Sequence, residues 1–65
     1  MLVKVISQPS DKHDSAGYTV YKVSIISGGG LRKVGYIMAG VYCVGQIKDI
    51  DNTEVYRTQA EAFRG

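Results

Sequence analysis

YTVYKVSII, residues 18–26, decides the fold. Seven of its nine residues are β-branched or aromatic and none is Gly or Pro, a composition that favours a strand over a helix. Gly28, Gly29 and Gly30 follow, and a second strand-like run, Leu31 to Met38, comes after them. Two such runs joined by glycines predict a hairpin, because glycine supplies the positive φ angles that tight turns require.

Working outward, Leu2 to Ile6 (LVKVI) reads as a further strand. Between it and the hairpin, Ser7 to Gly17 (SQPSDKHDSAG) has no apolar period, so it is expected to be a mobile surface loop, dispensable for folding. On the other side, Ala39 and Gly40 mark a turn. Val41 to Ile50 (VYCVGQIKDI) then reads as a strand, with Gly45 as a bulge or a point of close approach. Asp51 and Asn52 form a third turn, and Thr53 to Arg57 (TEVYR) a last short strand. Thr58 and Glu61 have the spacing of a capping box, which opens a helix of little more than two turns. A helix that short is unstable alone, so Phe63 with Ala60 or Ala62 must dock on the sheet. The expected fold is α+β: a small antiparallel sheet of four to five strands, a meander twisted or partly closed, with one short C-terminal helix. Residues 1–65 are expected to make one domain.

A chain of 65 residues buries only about 60% of the surface that it exposes when unfolded. Folds below roughly 70–80 residues usually add disulfides, a metal, association or unusually good packing. One cysteine, Cys43, excludes an internal disulfide, and with one histidine it cannot build a zinc site of the usual kind. Packing and association remain. The run from Val34 to Ile47 is too short to span a bilayer, and the N-terminal stretch has neither the basic start nor the apolar core of a secretory signal. A cytoplasmic protein with a reduced thiol is the expectation.

Catalytic chemistry finds no constellation. His13, in Asp11-Lys12-His13-Asp14, reads as a solvated loop residue rather than a general base. Cys43, between Tyr42 and Val44, reads as a small buried hydrophobe. The glycine triplet lacks the G-K-[ST] ending of a phosphate loop, and Asp49, Asp51 and Glu54 lack the spacing of a calcium loop. No catalytic, metal or cofactor-binding residue is assigned; neither an enzyme nor a small-molecule substrate is expected.

Binding is the remaining class. Leu2, Ile6, Tyr18, Val20 and Ile26 fall on strand faces that one short helix cannot cover, and they are the candidate contacts for a protein partner or a second copy. The alternative is nucleic acid. Net charge is +2, with Lys4, Lys12, Lys22, Arg32 and Lys33 against only Asp11 and Asp14 in the first half. Tyr18, Lys22, Arg32, Lys33 and Tyr36 interleave aromatic and basic residues on the long hairpin, as stacking surfaces for single strands do.

Two stretches, GVYCV at 40–44 and EVYRTQAEAF at 54–63, look like the strand–strand–helix ending of small phage and mobile-element proteins, including the arm-binding domains of tyrosine integrases. The resemblance implies a three-stranded sheet backed by a helix, and DNA binding. It covers less than half of the chain, and the basic N-terminal segment common in such domains has no counterpart here. No binding residue is carried over from it. The leading expectation is a small non-enzymatic inhibitor or adaptor of that phage-like kind, associating through an apolar sheet face.

Overall fold

Strands β1 (Leu2–Ser7), β2 (Thr19–Ile25), β3 (Val34–Ala39) and β4 (Ile47–Asp49) form one antiparallel sheet in the order β3-β2-β1-β4. A helix, α1 (Gln59–Arg64), follows. This computed structural model describes residues 1–26 and 33–64; the glycine triplet and Arg32 lie outside the described residues. The expected α+β class holds, and the sheet is open rather than closed into a barrel. The first three strands are a meander, as expected, but β4 returns to lie beside β1 instead of extending the sheet past β3.

That return builds the core. The chain leaves β4 at one edge and reaches the opposite edge at Tyr56, which bridges to Tyr36 of β3. On the way it crosses one face of the sheet. Val3, Val5, Tyr21, Val23, Ile37 and Ala39 point to that face, Val55 of the crossing segment closes over them, and Tyr42 and Ile50 pack alongside. Val3, Val5 and Val23 are inaccessible to solvent, and each contributes about 1.5–3 kcal/mol through burial. The Tyr21 hydroxyl is satisfied by the connection between β3 and β4: it accepts from the Tyr42 amide at 3.2 Å and donates to the Gly40 carbonyl at 3.3 Å.

The opposite face carries α1, which packs on β2 and β3. Val20 and Ala62 are fully buried there, outside the main cluster, so they form a small second core. Ala62 supplies the expected docking contact, with Phe63 half-buried and Ala60 exposed. The Thr58 hydroxyl accepts from the Glu61 amide at 3.1 Å, the first half of the expected capping box.

Three expectations are corrected. Of the strand expected over 41–50, only Ile47–Asp49 is formed; residues 41–46 are a turn, with Val41 and Val44 in solvent. Gly45 is neither bulge nor close approach: its φ of +94° makes it the turn's left-handed residue, and a β-carbon there would meet nothing. The bulge lies in β1 instead, where register shifts between Val5 and Ser7. Residues 53–57 are not a strand. Asp51 caps a 3-10 turn at Asn52–Glu54, its carboxylate accepting from the Thr53 amide and hydroxyl, both at 3.0 Å, and only Tyr56 pairs with the sheet. The strand–strand–helix ending implied by the family resemblance is therefore not formed.

The loop before β2 is tied down at two points. The Thr19 hydroxyl, itself buried, lies 3.0 Å from the Ser10 carbonyl and 2.8 Å from that of Lys12, and donates to one or the other. The Asp14 carboxylate accepts from the Ala16 amide at 2.9 Å and the Tyr18 amide at 2.8 Å, folding the last turn before the strand.

A candidate protein-interaction face

Strand register distributes the side chains of the α1 face into rows. Tyr36 lies opposite Lys22 on β2 and opposite Tyr56 beyond the sheet edge, and Val34 lies opposite Ser24, which is itself opposite Lys4. Lys4 in turn faces Ile47 of β4, and Leu2 faces Asp49. Ile26 donates its amide to the Leu2 carbonyl at 2.9 Å, so it extends the same face. Helix α1 covers the end of the face near Val20 and leaves the other end open.

Aliphatic side chains dominate the open end. Leu2 is 40% exposed, Ile6 39%, Ile26 52%, Val34 39% and Ile47 56%. Ile47 is the diagonal neighbour of Leu2, about 7–8 Å apart by strand geometry, so these are one patch rather than scattered residues. Lys4 and Lys22 stand within it, and neither makes an ion pair among the described residues. Asp49, the acid at its border, is held by the Met1 amino group at 2.9 Å.

Of the residues expected to meet a partner, Leu2, Ile6, Ile26 and Tyr18 are exposed. Val20 is corrected: it is fully buried on the helix-covered part of the sheet and presents nothing outward. Ile47 and Val34 belong to the patch and were missed; the alternation of Ile47 with Lys48 was the available signal. Among the nucleic-acid candidates, Lys22 and Tyr36 are direct cross-strand neighbours, while Tyr18 and Lys33 are exposed outside the strands.

Cys43 is corrected as well. It is exposed in the turn, its amide donating to the Gln46 side-chain oxygen at 3.0 Å, rather than buried in a strand. His13 is exposed in the loop before β2. The three carboxylates read as solvated turn acids separate in role, with Asp49 on the Met1 amine and Asp51 capping the 3-10 turn. Among the described residues no helix is long and apolar enough to cross a membrane, and no three His, Cys, Asp or Glu side chains cluster as metal ligands.

No family model matches the chain, and no curated protein and no solved structure match it either.

Proposed function

We propose that the chain is a non-enzymatic protein-binding module, an adaptor or inhibitor, whose working surface is the open end of the α1 face. One observation carries this reading: five exposed aliphatic side chains converge on the part of the sheet that the helix leaves bare. Patches of that kind on small domains mark interaction sites, since burying them adds the stability that a core of this size lacks. Leu2→Lys and Ile26→Lys place a charge in the patch without touching the core. The test is capture of a partner protein by the parent and by each variant, with nuclease present and at raised salt. A partner retained by the parent and lost by both folded variants supports the reading; capture that the variants leave unchanged overturns it.

A second reading, binding of single-stranded nucleic acid, draws on the row formed by Lys22, Tyr36 and Tyr56. Aromatics beside a cation suit base stacking and phosphate contact. Lys22→Glu should then abolish oligonucleotide binding at low salt, and the affinity of the parent should fall steeply as salt rises. The aliphatic patch around Lys4 suits a protein better, because phosphates gain nothing from leucine and isoleucine.

A further inference from the structure

The two edges of the sheet differ. At the β3 edge, Tyr36 and Tyr56 exchange both backbone hydrogen bonds, at 2.9 and 2.8 Å, so the centre of that edge is occupied. At the β4 edge no other described residue pairs. Val5 donates to the Gln46 carbonyl and Ile50 to that of Met1, both at 2.9 Å, while Val3 lies opposite Lys48. The Gln46 carbonyl and the backbone groups of Lys48 and Ile50 therefore aim at β1, while the Gln46 amide turns to the Cys43 carbonyl. Ile47 and Asp49, which alternate with them, aim theirs away from the sheet.

We propose that this edge accepts an extended segment of the partner protein as a fifth strand, a deepening that rests on the protein-binding reading above. An open edge beside an apolar face is the arrangement that strand addition uses: main-chain bonds give affinity and alternate side chains give specificity. The partner's residues on the Ile47 side would continue the apolar patch. Those on the other side would lie next to Lys48, whose ammonium is 5.8 Å from the centre of the Tyr42 ring. A segment alternating apolar with acidic residues matches both sides.

A second copy of the chain fits the edge poorly. Antiparallel pairing of two β4 edges allows three registers through the outward groups of Ile47 and Asp49. One sets Lys48 opposite Lys48, and another sets Asp49 opposite Asp49; like charges directly opposite are destabilising. The third, centred on Ile47, runs into Gly45, whose left-handed backbone ends the strand. A foreign strand meets none of these conflicts.

The test uses a displayed library of random peptides roughly ten residues long, more than spanning a typical strand. Peptides that alternate apolar with acidic residues are expected to be enriched. Ile47→Pro spares the ladder to β1 but removes both an outward amide and the Ile47 side chain, so it is read against Ile47→Ala, which removes the side chain alone; the proline should weaken binding of such a peptide by tenfold or more beyond the alanine. Backbone amide exchange gives an independent measure: the Ile47 and Asp49 amides exchange fast in the free protein and become protected when peptide binds, whereas Lys48 is protected throughout. The proposal is overturned if no peptide is enriched, if Ile47→Pro folds and binds no more weakly than Ile47→Ala, or if the two amides stay unprotected in the complex. Protection that rises with protein concentration alone would also overturn it, in favour of a second copy. Should Leu2→Lys abolish binding while Ile47→Pro matches Ile47→Ala, the face reading stands and the edge inference falls.

Discussion

The side chain of Val55 lies so close to the backbone of Gly35 that a β-carbon at position 35 would overlap Val55 Cγ1. The contact locks the crossing segment onto the centre of β3, one residue before Tyr36 pairs with Tyr56. Gly35→Ala is expected to destabilise the fold by about 1–3 kcal/mol through overpacking. Val55→Ala should cost about 2 kcal/mol by leaving a void. The double variant is expected to be less destabilised than the sum, because the smaller residue at 55 makes room for the β-carbon at 35. Urea unfolding of the four proteins measures the coupling; strict additivity would show that the contact is absent in solution.

Thr19 anchors the loop between β1 and β2 through its buried hydroxyl. Thr19→Val keeps the shape and removes the donor, leaving whichever of the Ser10 and Lys12 carbonyls it serves short of a partner. A loss of about 1–3 kcal/mol follows from an unsatisfied buried group. Thr19→Ser should retain most of the stability. Limited proteolysis should cut first within the exposed stretch around Lys12 and His13, and faster in Thr19→Val than in the parent. Cleavage in α1 before the loop would contradict the expected mobility, and equal cleavage rates in Thr19→Val and the parent would contradict the anchoring.

The elements that could be read from the sequence are those whose pattern is local. Strand β2 announces itself through seven β-branched or aromatic residues, β1 through Val3 and Val5 alternating with exposed neighbours, and α1 through the Thr58 cap. Residues 41–46 misled because an apolar run looks like a strand, although only Tyr42 turns inward and Gly45 reverses the chain. Thr53 and Glu54 misled because the Asp51 cap outweighs the strand preference of Thr53. The candidate face was legible in part. Leu2, Ile6 and Ile26 followed from alternation, but Val20 has the same local pattern and is covered by α1, whose docking position no local signal encodes.

Cys43 is expected to react with thiol probes in the folded protein at close to the rate of the unfolded chain, because the turn leaves it in solvent. His13→Ala should leave that rate unchanged. Time-resolved labelling followed by mass measurement distinguishes the cases, and slow labelling that accelerates only on unfolding would place Cys43 back in a core.

Asp51 makes the cap of the crossing segment sensitive to acid. Its pKa is lowered below the ordinary aspartate value, first because the Thr53 amide donates to the carboxylate and next because the Thr53 hydroxyl does so, with a small contribution from the Met1 amino group. Donors aimed at the charged form favour it over the protonated one. A carboxylate whose pKa is lower in the folded state than in the unfolded state contributes stability above the unfolded value, and that contribution is lost as pH falls through the folded value. The group is exposed, so solvent screening keeps its share of the total stability small. Chemical-shift titration of the Asp51 carboxyl should give a midpoint below that of an unstructured peptide. Thr53→Ala should raise it part of the way back, because the amide still donates after the hydroxyl is gone. Asp51→Asn should make stability less sensitive to pH in the acid range while preserving the cap in weaker form. A midpoint equal to that of the peptide, unmoved by Thr53→Ala, would show that the 3-10 turn is not capped in solution, and with it the geometry that sets Val55 on Gly35.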